Sequence, residues 1–216
     1  MDLSSYRRRL QQTSAMESMK AVTKQQTNMT FSDSPNFKEV FLNGTKIDAR
    51  VSVEQDETQK QILFRPDTKV YKGDVIDFDG THWLTNNTYD NDIFPTAFVD
   101  FCNEWLRWVD TANKNFVYPC VVRGQNFDIQ EGKYLIYSED IVEIWCQYNS
   151  DTKFITPKMR FILNGTPYEI KGVDAISNVN LGKGLIHMKA VETQIQADDN
   201  IADDIADNRN EGWGNW

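Results

Sequence analysis

The fold is decided by Met159-Arg160-Phe161-Ile162-Leu163-Asn164-Gly165-Thr166-Pro167-Tyr168-Glu169-Ile170. Strand-forming residues flank an Asn-Gly pair. Asn tolerates positive φ and Gly meets it without a Cβ penalty, so the pair closes a two-residue hairpin turn. Two further stretches repeat the pattern. Val40-Phe41-Leu42 precedes Asn43-Gly44, with Lys46-Ile47 after it, and Val75-Ile76-Asp77-Phe78 precedes Asp79-Gly80, with Trp83-Leu84 after it. From about residue 37 to 195 the chain therefore reads as strands.

Two of these hairpins look like copies. Asp67-Thr68-Lys69 precedes one and Asp151-Thr152-Lys153 the other. Each follows an apolar run, Gln61-Ile62-Leu63-Phe64 or Ile144-Trp145-Cys146-Gln147-Tyr148, and each leads through a turn (Lys72-Gly73, Pro157-Lys158) into the hairpin. The turn glycines Gly80 and Gly165 lie 85 positions apart. A duplicated β-unit explains this, and chance similarity of two hairpins is the alternative.

Working outward, Leu3, Tyr6, Leu10, Met16, Met19 and Val22 recur at spacings near three and four, which predicts a helix over residues 3–29. Its apolar stripe is thin, so it needs its own domain or a partner to hold it. Ser32-Asp33-Ser34-Pro35 ends it. Phe98–Asp110 fits helical spacing, yet Trp105–Val109, a polar loop and Phe116-Val117-Tyr118 read equally as a hairpin. Aromatic and β-branched content favours strands. The expected class is mainly β with an N-terminal α-helix: two small sandwich- or barrel-like subdomains and an extended acidic C-terminal arm. The expected bounds are residues 1–34 for the helical arm, 35–125 and 126–195 for the subdomains, and 196–216 for the tail.

The 216 residues carry a net charge of −9, with 40% apolar and 25% charged residues, a globular composition. That charge argues against a general nucleic-acid binder. It is unevenly placed. Residues 1–30 hold Arg7, Arg8, Arg9, Lys20 and Lys24 against Asp2 and Glu17, while residues 192–216 hold seven acidic side chains against Arg209 alone. Opposite ends of opposite sign suit head-to-tail contacts between copies or distinct partners above and below; two solvated polar termini is the plainer reading. The tail closes on Gly212-Trp213-Gly214-Asn215-Trp216. Tryptophan is a common interface anchor, so Trp213 and Trp216 either dock on another chain, pack back on their own, or stay mobile.

Catalytic chemistry is thin. His82 and His187 are the two histidines, and no serine or cysteine sits in a nucleophile-elbow pattern. Cys102, Cys120 and Cys146 form no C-x-x-C pair, which fits reduced thiols in a cytosolic setting, and they show no zinc spacing with the histidines. Asp90-Asn91-Asp92 and Asp198–Asp207 lack the order of a calcium loop. Gly182-Lys183-Gly184 lacks the rest of a phosphate loop. No apolar run reaches the ~18 residues of a membrane span, and no apolar block follows the N-terminal arginines as a signal peptide would require. The expectation is a soluble intracellular product that is not an enzyme, with no catalytic, metal or cofactor residues.

A series of short motifs runs in order along the chain: Tyr6-Arg7-Arg8-Arg9-Leu10; Ile62-Leu63-Phe64; Lys72-Gly73-Asp74-Val75-Ile76 with Trp83-Leu84; Cys102-Asn103 with Trp105-Leu106-Arg107-Trp108. Then come Met159–Gly165 with Tyr168-Glu169-Ile170, Gly184-Leu185-Ile186, and Asp203–Asn208. In this order they resemble the virion structural proteins of tailed bacteriophages, particularly those of Gram-positive hosts, encoded in the head and neck region. The resemblance implies a non-enzymatic neck component, an adaptor or head-closure protein in a homo-oligomeric ring under the portal, assembled in the host cytoplasm and carried in the virion. Its partners would be the portal and neighbouring neck or tail proteins, with DNA only as passing cargo and no membrane. The implied interface residues are Tyr6, Arg7, Arg8, Arg9 and Leu10 against an acidic partner, and Trp213 and Trp216 in pockets of an adjacent chain. A tail terminator or baseplate protein is the alternative within virions. A carbohydrate-binding β-module is the alternative outside them, given six tryptophans and eight tyrosines.

Overall fold

The computed structural model describes residues 15–53, 57–110, 113–124 and 141–209. Helix α1 (Ala15–Thr30) leads through a short 3-10 turn at Phe31–Asp33 into a mainly β chain. Strands β1 (Phe37–Leu42), β2 (Thr45–Val53), β3 (Gln59–Phe64), β4 (Val75–Phe78), β5 (Thr81–Tyr89) and β6 (Thr96–Phe101) close a barrel in the order β1-β2-β3-β6-β5-β4. The closing seam is the antiparallel pairing of β1 with β4, Phe41 opposite Asp77 and Leu42 opposite Ile76. All three expected turns form: Asn43-Gly44, Asp79-Gly80 and Asn164-Gly165 each have positive φ at both positions and join strands in register.

The second sheet holds β7 (Glu104–Val109), β8 (Asn115–Gly124), β9 (Ile141–Tyr148), β10 (Arg160–Leu163), β11 (Thr166–Asp174), β13 (Lys183–Glu192) and β14 (Ala206–Asp207), with the short β12 (Val179–Asn180) paired to β13. The stretch around Trp105–Tyr118 is thus a hairpin rather than a helix, as its aromatic and β-branched content favoured. The change of sheet falls at Cys102-Asn103, whereas the sequence divided the subdomains at 125. β7 and β8 pair only within the second sheet, because β8 runs alongside β9 from Cys120 opposite Cys146 to Gly124 opposite Val142.

The internal copy extends to single hydrogen bonds. The strand orders β1-β2-β3-β6-β5-β4 and β7-β8-β9-β13-β11-β10 are the same path taken twice. β10 and β11 begin and end 85 positions after β4 and β5. Both long strands bulge at the matching place, between Thr85 and Asn87 and between Ile170 and Gly172. The turn before each hairpin puts a positive φ at Gly73 or Lys158, whose N–H donates to Thr85 O or Ile170 O at 2.8 Å in both copies.

The copies differ at the seam. In the second unit β10 lies beside β7, but β14 enters between them, pairing in parallel with β7 at Trp108 and Val109. On its other side Asn208, fully buried, does with its side-chain amide what a strand backbone would do. Its Oδ1 accepts from Arg160 N at 2.8 Å and its Nδ2 donates to Arg160 O at 2.9 Å. Residues 196–209 of the acidic tail therefore lie against the second unit; residues 210–216 fall outside the described residues.

Each unit has its own apolar core, one around Val40, Ile62, Phe64, Ile76 and Val99, the other around Leu106, Trp108, Ile144, Phe161 and Ile186. A third cluster of Leu84, Val121 and Leu185, flanked by Cys102 and Trp145, joins them. The joint is tight at Gly73: a Cβ there would lie 1.7 Å from Gly184 O, so only glycine fits, and its φ of +87° independently favours glycine.

Candidate interaction surfaces

α1 is mounted by its C-terminal end. Arg50 donates from Nε to Phe31 O at 3.0 Å and from Nη2 to Thr30 O at 2.8 Å. Arg65 donates to Asn28 O at 2.9 Å and Ser32 Oγ at 3.1 Å, while its Nε binds Asp48 at 2.7 Å. The two guanidiniums satisfy the last carbonyls and complement the negative end of the helix dipole. Both also sit on the ring of the buried Phe31, at 4.6 and 4.8 Å from its centroid. Arg50 sits on β2, Arg65 just past β3, so the first barrel holds the helix base.

Facing the barrel are Lys20 near Asp92, Lys24 bonded to Asp67, the buried Thr27 and then Phe31, at steps of four, three and four. One helical face is therefore polar and turned inward. Met19, Val22 and Met29 lie on the other side and are exposed, as is Met16. A surface helix ordinarily turns its apolar stripe to the core; here the stripe faces away from the barrel. The sequence showed the stripe but not its direction. The signal for direction was the pair Lys20 and Lys24, one turn apart on the opposite face, for which the barrel supplies carboxylates.

Part of the acidic tail is neutralised within the chain. Arg160 forks onto Asp199, Nη1 to Oδ1 at 3.0 Å and Nη2 to Oδ2 at 2.7 Å, with side chains only 3% and 0% exposed. Burial works against the charged Asp199, yet the Arg160 fork and the N–H groups of Gln196 and Asp207 outweigh it and hold the carboxyl below its usual range. Arg107 pairs with Asp204 at 3.6 Å, Asp204 accepts from Gly165 N at 2.8 Å, and Arg209 grips Asp207. Three of the carboxylates that made the C-terminal region look like a free anionic end are thus bound to arginines of the same chain. Beside them opens a cleft of about 400 Å³ with Val109 and Ile205 among its lining and the exposed Asp198 and Asp203 at it.

A third feature stands on the loop between β11 and β13. Leu181 and Gly182 form a two-residue turn joining Asn180 to Lys183, with φ of +50° and +76°. Leucine in the left-handed region costs roughly 1–2 kcal/mol, and this one is 97% exposed; Ile176 nearby is 86% exposed. The hairpin is held firmly: Asp174 Oδ1 accepts from Ile176 N and Ser177 N, Leu185 N donates to Asn178 O, and Lys72 Nζ donates to Asn178 Oδ1 at 2.7 Å.

The sites read from the sequence divide sharply. Tyr6, Arg7, Arg8, Arg9, Leu10, Trp213 and Trp216 lie outside the described residues. His82 Nδ1 sits 2.6 Å from Asp77, and the His187 ring stacks on Trp145, so each is engaged in its own place. Cys120 and Cys146 face each other across β8 and β9 as buried free thiols. Burial pushes Cys146 up to about 12 and Cys120 also well above the usual thiol range. Among the described residues no group of three or more His, Cys, Asp or Glu side chains is placed to hold a metal ion, and no helix is long and apolar enough to cross a membrane.

The chain is thus a closed six-stranded barrel followed by a second β unit built on the same strand path, with a helix whose apolar stripe faces away from the first barrel. Residues 83–191, just over half of the chain, match the YomX C-terminal domain, and the chain belongs to that phage-derived family. The match runs from β5 through β13. No curated protein matches the chain in sequence. Among solved structures, K. pneumonia MrkH in its apo state is 10% identical over 83% of this chain and 88% of that one, with a TM-score of 0.27. The MrkH–c-di-GMP complex is 11% identical over 89% and 90%, with a TM-score of 0.23. Likeness that faint has no bearing on function.

Proposed function

We propose that this chain is a non-enzymatic structural subunit of the phage particle, a neck-ring component of adaptor or head-closure type that joins head to tail through protein–protein contacts around the DNA channel. The observation that carries this reading is α1, clamped at its base by Arg50 and Arg65 with Met19, Val22 and Met29 turned away from its own barrel. A rigidly mounted helix with an uncovered methionine stripe suits docking on a neighbouring virion protein, since methionine adapts its shape to the partner. Membership of a phage-derived family supports the setting.

Among the described residues, the tryptophans favour this reading over carbohydrate binding. Trp83 and Trp108 are buried in the two cores. Trp105 packs edge-on to His82 across the joint, and Trp145 belongs to the cluster that binds the units. A sugar-binding face would instead set such rings in a row toward solvent. Within the ring, DNA would pass as cargo, the chain's net charge of −9 limiting adhesion to phosphates.

The test is complementation of a phage lacking the gene with Met19→Glu/Val22→Glu. Both side chains are exposed, so the melting temperature should stay within about 2 °C of wild type, while the variant should fail to enter particles and leave heads without tails. Normal incorporation would overturn the docking role of α1. Labelling the wild-type chain in intact particles separates the neck from the tail-terminator and baseplate alternatives.

A further inference from the structure

The hairpin tip at Leu181 and the cleft beside Val109 have complementary chemistry. The tip offers the exposed Leu181, and Ile176, where the chain leaves β11, is exposed as well. Lys72 and Lys183 stand beside it, the former bonded to Asn178 and the latter 4.2 Å from the Tyr71 ring centroid. Val109 and Ile205 are the apolar residues of the cleft's otherwise polar lining, which carries the carboxylates Asp198 and Asp203 and the Asp207–Arg209 pair. Leu181 holds a backbone conformation that asparagine or glycine would adopt freely, and such strain concentrates where function requires it. A firmly held apolar tip also loses little freedom on docking.

We infer that Leu181 and Ile176 of one copy insert into the Val109–Ile205 cleft of a second copy, with Lys183 meeting Asp198 and Lys72 meeting Asp203. The inference rests on the reading of the chain as a repeated structural subunit. The second copy is the occupant that the charges select, because tip and cleft belong to one chain and carry opposite signs. They share no residue, so one copy can donate its tip and receive another at once. A contact between different patches propagates from copy to copy and closes into a ring when the rotation allows.

The experiment is sedimentation of the purified full chain over a range of concentration and salt. Wild type should associate reversibly, and the association should weaken at least tenfold between low and high salt. Leu181→Asn relieves the φ strain, so it should melt no lower than wild type yet stay monomeric. Lys183→Glu and Asp198→Lys should each weaken association at least tenfold, and the double variant, with both signs exchanged, should regain it. Wild type that remains monomeric throughout, Leu181→Asn that associates as wild type does, or a double variant no better than the singles would each overturn the contact. Location in the particle separates this contact from the proposed function. A chain present in the virion with its copies touching elsewhere removes the contact alone; a chain absent from it removes the structural-subunit reading while the contact in solution stands.

Discussion

Replacing Asn208 by alanine should open the second barrel. The side-chain amide fills the role of a strand backbone against β10, and both of its bonds to Arg160 are buried. Alanine leaves Arg160 N–H without that partner, at about 1–3 kcal/mol, and its carbonyl with one acceptor site unused, at somewhat less. The expected loss is roughly 2–4 kcal/mol. With a urea m-value of roughly 2 kcal/mol/M, the unfolding midpoint should fall by about 1–2 M. The fluorescence of Trp108, buried where β14 pairs, should report it. Hydrogen exchange at the Arg160 amide should accelerate in step. Asp198→Ala, an exposed change in the same segment, serves as the control and should move the midpoint by less than about 0.3 M. Should Asn208→Ala behave like that control, with the Arg160 amide still protected, the tail would not be closing the barrel.

Gly73→Ala sets a Cβ against Gly184 O and strains a positive φ, so it should cost roughly 2–4 kcal/mol and lower the melting temperature by about 5–15 °C; an unchanged melting temperature would refute the tight joint. At the matching position of the second copy, Lys158→Gly should be neutral or stabilising by up to about 1 kcal/mol. Acid should unfold the protein through carboxylates that are stabilised when charged. Asp174 is held at about 2 by the N–H groups of Ser177 and Ile176, Asp151 is lowered by Tyr118, and Asp207 by Arg209. Their folded values lie below the unfolded one, so the stability they confer is fully present above about pH 4. It is lost as pH falls toward 2. Urea midpoints that stay level down to pH 2 would contradict this.

What was legible in the sequence was local. Asn43-Gly44, Asp79-Gly80 and Asn164-Gly165 close their turns by backbone conformation alone, so pattern and structure agree. The copy was visible for a related reason: Asp67-Thr68-Lys69 and Asp151-Thr152-Lys153 precede matching hairpins whose turn glycines, Gly80 and Gly165, lie 85 positions apart. The boundary near residue 102 was hidden because Cys102-Asn103 joins two strands without the glycine or proline that usually marks a break. The seat of the tail was hidden too, since it rests on Asn208 and Asp199 meeting Arg160 from far along the chain. Its one sequence hint was an arginine heading β10, where all four residues are buried and a guanidinium needs a carboxylate. For α1, periodicity gave the stripe, and only the carboxylates at Asp67 and Asp92 decided which way it turned.

The one-sided seam sets an order of events during synthesis. The first barrel has every strand it needs once Phe101 has left the ribosome, and it can close while translation continues. Its twin must wait, open along one edge, until Asn208 emerges. A stalled or truncated product therefore carries one finished module and one with an unpaired flank, ready to be recognised by chaperones and proteases before it reaches an assembling particle.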